Sequence, residues 1–137
     1  MITPALDGTI LPGVTRESCL SLIDAHSSVS NTFIMPHLPA TLRLHAIEGT
    51  ITMSDLERWA SHGTLLEIFC TGTAVTVASV GRIGLDRVPD GPESQKYQDL
   101  VWPESKWMGP IAKGLLEALA AIQTGKLQMD DWSVVCT

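Results

Sequence analysis

The sequence is poor in charge, and in basic charge above all. Charged side chains make up 18% of its 137 residues, with nine lysines and arginines against fifteen aspartates and glutamates. The net charge of −6 and the scattered positions of the basic residues argue against a nucleic-acid-binding stripe. We therefore expect no nucleic acid among the partners of this protein.

Long apolar runs are also missing. No stretch reaches the roughly 18 consecutive apolar residues that a membrane span needs, although 45% of the residues are apolar and the mean hydropathy is +0.18. The first residues, MITPALDGT, lack the basic start and apolar centre of a secretory signal. These absences predict a cytoplasmic protein with no membrane anchor, and the apolar composition predicts surface that a partner covers.

Cysteine and histidine are too few and too scattered for a metal site. The three cysteines, Cys19, Cys70 and Cys136, show no zinc-ligand spacing, and their odd number indicates reduced thiols. None of the four histidines forms an HxH or HxxxH pair. The sequence therefore predicts no bound metal.

Three helices are predicted from periodicity and capping signals. Thr15 is placed to cap the first, and the second lies in TMSDLERWASHG, where Ser54 and Glu57 have capping-box spacing. The third begins at GP (residues 109–110) and ends at Gly125. All three helices have apolar faces that indicate core positions. These are Cys19, Leu22, Ile23 and His26 in the first, Leu56, Trp59 and Ala60 in the second, and Ile111, Leu115, Leu119 and Ile122 in the third.

The remaining segments predict strands and loops. TLRLHAIE alternates as a strand, and LLEIF and AVTVASVGRI are almost continuously apolar, which is typical of strands buried on both faces. TFIMPHLPA predicts an irregular segment, residues 84–107 a long loop with room for a hairpin, and DDWSVVCT a short strand. We predict a single domain over residues 1–137, of α/β class with α+β as the alternative.

Two glycine-containing segments have the composition of anion-binding loops. In LPGVTR, Gly13 permits a sharp turn into a helix whose first amides favour negative charge. In CTGTA, Gly72 permits close backbone approach, and Thr71 and Thr73 offer hydroxyls beside their amides. Ordinary turns that bind no ligand are the alternative.

The order of four segments resembles one family. TPALDGTILPGVTRESCLSL, ITMSDLERWASHGTLLEIFCTGTAVTVASVGRI, GPIAKGLLEALAAIQTGK and DDWSVV are similar to consecutive pieces of the C-terminal part of branched-chain amino-acid aminotransferases. Those are pyridoxal-phosphate enzymes of fold type IV, and the amino-acid sequences of the four segments are most similar to those of fungal members. The resemblance implies the C-terminal portion of the large domain, a sheet with about three helices.

The resemblance also implies roles for both loops. The amides of the first would hold the cofactor phosphate; the threonine matching Thr73 would add its hydroxyl and amide, and the backbone of Thr73 and Ala74 would receive a substrate carboxylate. The implied ligand-binding residues are Gly13, Val14, Thr15, Thr71, Gly72, Thr73 and Ala74.

Some residues of the family pattern have no counterpart. The Schiff-base lysine of the family precedes the LPGVTR-like loop, and only ten residues, none of them lysine, precede Leu11 here. In the family, a small residue usually occupies the position of Cys70, and a tyrosine is common at the position of Thr124. None of the four lysines of this sequence matches the position of the Schiff-base lysine; they are Lys96, Lys106, Lys113 and Lys126. We therefore expect a truncated relative without the N-terminal domain and with no cofactor, although residual pyridoxal-phosphate binding through the loops stays open.

Two functions are consistent with this pattern. The first is a PLP-independent enzyme of isomerase, cyclase or lyase type, acting on a small organic substrate in a biosynthetic pathway of secondary metabolism. Its catalytic candidates are His45 and Cys70. The alternatives are a packed or solvent-facing role for the histidine and a buried structural role for the thiol. The second is a non-catalytic pseudo-subunit that pairs with a full-length aminotransferase or another chain. We expect a homodimer or higher homo-oligomer, with a hetero-partner as the alternative.

Overall fold

The computed structural model describes residues 1–29, 33–86, 97–101, 108–129 and 132, with the backbone alone for 85, 86, 97 and 98. Three helices and six short strands are found there, so the mixed α/β class is confirmed. In chain order they are β1 (Ile2–Pro4), α1 (Val14–Ser27), β2 (Ile47–Gly49), α2 (Met53–Ser61), β3 (Phe69–Gly72), β4 (Thr76–Ser79), β5 (Arg82–Asp86), β6 (Tyr97–Val101) and α3 (Pro110–Gln123). Four predictions or residues lie outside the described part of the chain: the strand predicted in DDWSVVCT apart from Trp132, and Cys136, Lys96 and Lys106.

The predicted start of α1 was wrong. Gly13, not Thr15, is the N-cap, and no side chain caps the helix. The extended conformation of Gly13 (φ −75°, ψ 130°) lets its carbonyl accept the first helical bond, from the Glu17 amide at 3.1 Å. The predicted inward face is confirmed by the burial of Cys19, Leu22, Ile23 and His26.

The predicted capping box of α2 was also displaced. The Thr52 hydroxyl accepts from the Asp55 amide at 3.1 Å, and the Asp55 carboxylate accepts from the Thr52 amide at 3.0 Å. Ser54 and Glu57 have the same spacing but begin two residues inside the observed box. Gly63 follows the helix with φ +67°, in agreement with its predicted role as the stop.

The predicted core face of α2 was wrong. Leu56, Trp59 and Ala60 are only partly buried, and they do not belong to the core.

The described strands form three separate two-stranded sheets. β1 pairs with β2 in parallel, whereas β3 with β4 and β5 with β6 are antiparallel. The β5–β6 pair confirms a hairpin in the region of the predicted long loop. The strand predicted in TLRLHAIE is shorter, since only its last two residues belong to β2.

The prediction of strands buried on both faces was wrong. Only Val77 is buried in the β3–β4 hairpin, and of LLEIF only Phe69 is in a strand. The reason is that this hairpin has helices on one side: α1 packs against β3, and α3 packs against β4. Phe69 and Val77 contribute to the core, while Cys70, on the opposite face, is exposed.

The core lies between α1, α3 and the irregular residues 33–38. Its buried members are Cys19, Leu22, Ile23, Phe33, Met35, Leu38, Val77, Ala112, Leu115, Ala118, Leu119 and Ile122. Residues 33–40 contain no helix or strand, as predicted, and they are attached at two points. The Met35 amide donates to Nδ1 of the buried His26 at 3.1 Å, and His37 Nε2 lies 2.9 Å from a carboxylate oxygen of Glu117 on α3.

Candidate anion-binding loops

The first anion loop, residues 13–15, forms the start of α1. The Gly13 amide donates to the Leu11 carbonyl at 2.8 Å, so the chain turns around Pro12 directly before the helix. A helix leaves its first amides without internal acceptors, and no acceptor among the described residues bonds to the amides of Val14 and Thr15. Val14 itself is 78% exposed, so these donors lie at the surface.

Arg16 holds this helix start against β1 and β2. Its guanidinium donates to the Pro4 carbonyl at 2.9 Å and lies 3.1 Å from a carboxylate oxygen of Glu48. Asp7, earlier in the same connection, accepts from both the hydroxyl and the amide of Thr9, at 2.6 Å and 3.0 Å. The Thr9 hydroxyl and then its amide hold the pKa of Asp7 below its usual value.

The second anion loop, residues 71–74, joins β3 to β4. Thr71 and Gly72 end β3, while Thr73 and Ala74 lie exposed in the turn. Among the described residues no acceptor bonds to the hydroxyls of Thr71 and Thr73. Thr76, which follows the turn, has φ +56°, a left-handed conformation that is rare for a β-branched residue. Such strain is maintained only where the surrounding structure fixes it, and it is frequent at ligand sites.

The elements that carry the two loops are in contact. α1, which begins at the first loop, packs against β3, which ends in the second. Among the described residues, the amides of Val14 and Thr15 in the first loop and the hydroxyls of Thr71 and Thr73 in the second have no bonded acceptor, and donors of this kind suit a carboxylate or a phosphate.

The two catalytic candidates lie apart from the core. Cys70 is exposed, so the alternative of a buried thiol was wrong for this residue. Of the two described thiols, that of Cys19 is buried, and its burial raises its pKa to about 11. His45 is exposed, and its carbonyl accepts from the amino group of Met1 at 2.7 Å.

No described lysine belongs to either loop. Lys113 lies on the exposed side of α3, and Lys126 is exposed just beyond that helix. Within the described ranges no three His, Cys, Asp or Glu side chains form a metal-binding group, and no helix is long and apolar enough to cross a membrane.

Glu67 is a functional candidate that the sequence analysis missed. Its two carboxylate oxygens accept from the amides of Ile111 and Ala112, at 3.1 Å and 3.0 Å, so it caps α3 from a position 44 and 45 residues away along the chain. Local capping signals cannot reveal such a residue, because they read only the turn next to the helix.

The architecture and the loops are consistent with part of a type IV aminotransferase: three helices, small sheets, and two donor-rich segments at a helix start and a hairpin turn. No protein-family model matches the chain. It is 31% identical over 134 residues to the mitochondrial branched-chain-amino-acid aminotransferase of Schizosaccharomyces pombe, covering 98% of this chain and 27% of that protein.

Two further relatives agree. The cytosolic branched-chain-amino-acid aminotransferase of Saccharomyces cerevisiae is 32% identical over 146 residues, covering 100% of this chain and 31% of that enzyme. The branched-chain-amino-acid aminotransferase of Dictyostelium discoideum is 33% identical over 138 residues, covering 98% and 30%. The chain is therefore a relative of the branched-chain-amino-acid aminotransferases, and it spans between 27% and 31% of the length of these three.

Proposed function

We propose that this protein binds a small organic anion at the two loops and acts on it as a PLP-independent enzyme of isomerase, cyclase or lyase type. The observation that carries the proposal is a set of donors with no bonded acceptor among the described residues, namely the amides of Val14 and Thr15 and the hydroxyls of Thr71 and Thr73. The substrate class that fits is a branched-chain 2-oxo acid or a related carboxylate, because the relatives are named for branched-chain amino acids.

Pyridoxal phosphate, the cofactor of the family, fits these residues only at its phosphate. The loop donors suit a phosphate group, but both described lysines, Lys113 and Lys126, are exposed on or beyond α3. The proposed reaction therefore does not use the cofactor. The proposed reaction types transfer a proton to or from the substrate, a step for which an acid or base side chain suffices. Cys70 and His45 stay the candidates for that step.

The loops would act by binding and orientation. A carboxylate at the start of α1 is favoured by the free amides and by the positive end of the helix dipole. Hydroxyl donors at Thr71 and Thr73 would bond to further oxygens of the same ligand. Fixing the anionic end in this way orients the reacting carbon relative to the acid or base.

Titration of the purified chain tests the proposal. Inorganic phosphate, 4-methyl-2-oxopentanoate and pyridoxal phosphate are titrated separately by calorimetry, and the pyridoxal phosphate sample is then treated with borohydride. We expect saturable binding of the oxo acid and of phosphate, with no reduced lysine adduct. An adduct would instead support aminotransferase-type chemistry, and no binding by any of the three would refute the anion site.

The variant Thr73→Val identifies the site of binding. Losing one hydroxyl bond to a charged ligand should weaken oxo-acid affinity by about tenfold. Thr41→Val is the matched control, because Thr41 is exposed and lies outside both loops. Equal affinities in the two variants would place the anion elsewhere.

A second candidate function is a non-catalytic pseudo-subunit that joins an aminotransferase chain. It is favoured by β1 and β2, a parallel pair of three residues each. Parallel strands occur almost only in larger sheets covered on both faces, so this pair has edges to which strands of another polypeptide could add. Native mass spectrometry of the chain, alone and mixed with a full-length branched-chain aminotransferase, should show a hetero-complex under this candidate and a homo-oligomer under the first.

We further propose that residues 1–137 fold as one domain in the cytoplasm. The core that joins α1, α3 and residues 33–38 supports a single unit, and the free thiols of Cys19 and Cys70 suit a reducing compartment. A single cooperative unfolding transition followed by two probes would support one domain. Mitochondrial localisation of a tagged chain would contradict the proposed compartment.

A further inference from the structure

We propose that Glu67 is a positioning residue for the second anion loop. Its carboxylate joins the segment leading into β3 to the start of α3, and this joint holds residues 71–74 in the orientation that receives the anion. The proposal rests on the proposed anion-binding function of that loop.

The joint is a complete cap made by a single side chain. Each carboxylate oxygen of Glu67 accepts from a different amide, that of Ile111 or of Ala112. Pro110 occupies the first turn and has no amide hydrogen, the N-cap Gly109 has no side chain, and the first turn contains no acidic residue. The negative charge at the positive end of α3 therefore comes from Glu67.

The Glu67 carboxylate lies in the space that a side chain at Gly109 would occupy. A Cβ at that position would lie 2.5 Å from the carboxyl carbon of Glu67 and 2.8 Å from its Oε1, too close for any side chain to be accommodated without moving the carboxylate. A side chain at residue 109 would therefore displace the Glu67 carboxylate from its present position.

Continuous pairing connects Glu67 to the loop. The Ile68 carbonyl accepts from the Val80 amide at 2.9 Å, and the β3–β4 ladder continues from Phe69↔Ser79 to Gly72↔Thr76. A two-stranded hairpin is marginally stable alone, so its orientation depends on its contacts with the helices. The Glu67 joint and the packing of α3 on β4 are two attachments of the hairpin to the same helix.

The test is the variant Glu67→Gln, which keeps the size of the side chain but removes its charge and one acceptor. We expect the affinity for 4-methyl-2-oxopentanoate to fall by about tenfold, which corresponds to ~1.4 kcal/mol. Backbone amide NMR signals of residues 71–74 should shift without ligand. If the variant does not fold, Glu67→Asp, whose carboxylate is one methylene further from the helix, takes its place.

Two controls separate positioning from general stability. Glu117→Gln removes a carboxylate elsewhere on α3, and Gly114→Ala strains the same helix at Met35 and Pro36 while leaving the Glu67 joint intact. Both should lower the melting temperature yet keep wild-type affinity in the folded protein. If Gly114→Ala loses as much affinity as Glu67→Gln, the role of Glu67 is only to cap and stabilise α3.

A double-variant cycle with Thr73→Val completes the test. If Glu67 acts through the loop, adding Glu67→Gln to Thr73→Val should weaken binding by less than it does in the wild type. Binding by the wild type and by Glu67→Gln with equal affinity would overturn the positioning role alone. No binding by the wild type would overturn the proposed function and this inference together.

Discussion

Gly114 lies where the irregular residues 33–40 cross α3, and a larger residue would collide there. A Cβ would lie 2.8 Å from Met35 Cγ and closer still to the Pro36 carbonyl oxygen. Backbone cannot yield as a flexible side-chain end does, so Gly114→Ala should lower the free energy of unfolding by about 1–3 kcal/mol. Denaturant unfolding measures this. Gly49→Ala is the matched control, since its Cβ would make an ordinary 3.8 Å contact with Ile2, and an equal loss there would contradict the explanation.

The capping box of α2 makes a second prediction for single residues. Thr52→Ala should lower the free energy of unfolding by about 1 kcal/mol, because it removes the bond to the Asp55 amide. Ser54→Ala, at the position that the sequence pattern favoured, should change little. A larger loss in Ser54→Ala, measured by the same denaturant unfolding, would restore the sequence-based assignment.

The same box gives a pH dependence. Hydrogen bonds from the Thr52 hydroxyl and amide, and then the charge of Arg58, hold the pKa of Asp55 below its usual 3.8. A lowered carboxylate pKa stabilises the folded state above the unfolded pKa, and this contribution is lost as the pH falls through the folded value. Asp55→Asn lacks this contribution at every pH, so its stability deficit relative to the wild type should be full at neutral pH and should shrink as the pH falls through the folded pKa of Asp55. Denaturant unfolding of both proteins at pH 7 and in acid measures the deficit, and a deficit that stays constant would contradict the explanation.

The two described thiols should differ in reactivity. Burial raises the pKa of Cys19 to about 11, whereas Cys70 is exposed. The thiolate is the reactive form, so iodoacetamide at pH 8 should modify Cys70 in the folded protein and Cys19 only after unfolding. Peptide mass spectrometry reads both sites, and rapid modification of Cys19 under native conditions would contradict its burial. Because the Cys19 pKa is raised, stability should also fall as the pH rises from 9 toward 11.

At the scale of elements, the predictable parts are those with dense local signals. The faces of α1 and α3 follow from helical periodicity, and the glycines beyond α2 and α3 have φ +67° and +70°, as their positions after the last turn required. The exact caps failed for two reasons. The chain enters α1 at Gly13, two residues before Thr15 and without a side-chain cap, and Thr52 offers the same hydroxyl as Ser54 two residues earlier.

The strands and part of the candidate site could not be predicted because they depend on distant contacts. Apolar runs such as LLEIF indicate burial, but which face is covered depends on where α1 and α3 pack. The donor character of both loops follows from Gly13, Gly72 and their threonines. The attachment of the second loop to α3 through Glu67 depends on residues 44 and 45 positions away, which no local pattern links.

At the scale of the whole molecule, exposed apolar side chains predict association. Leu11 is 87% exposed, Leu66 77% and Ile47 57%. Ile47 lies in β2, which pairs with no described strand other than β1. Ile47→Lys should discourage added strands beside β2 and increase the monomer fraction in sedimentation velocity. Ser21→Lys, on the exposed side of α1, is the control. An unchanged distribution would place the interface elsewhere.

The parallel pairing of β1 with β2 also has a consequence for folding order. The Ile47 amide donates to the Met1 carbonyl at 2.9 Å, so this short ladder closes only after the intervening chain, including α1, has folded back along β1. Closing so long a loop costs entropy that a few backbone bonds barely offset. The β1–β2 ladder should therefore form late in refolding and open early in native-state hydrogen exchange, with the amides of Ile47 and its neighbours exchanging before those of α1 and α3.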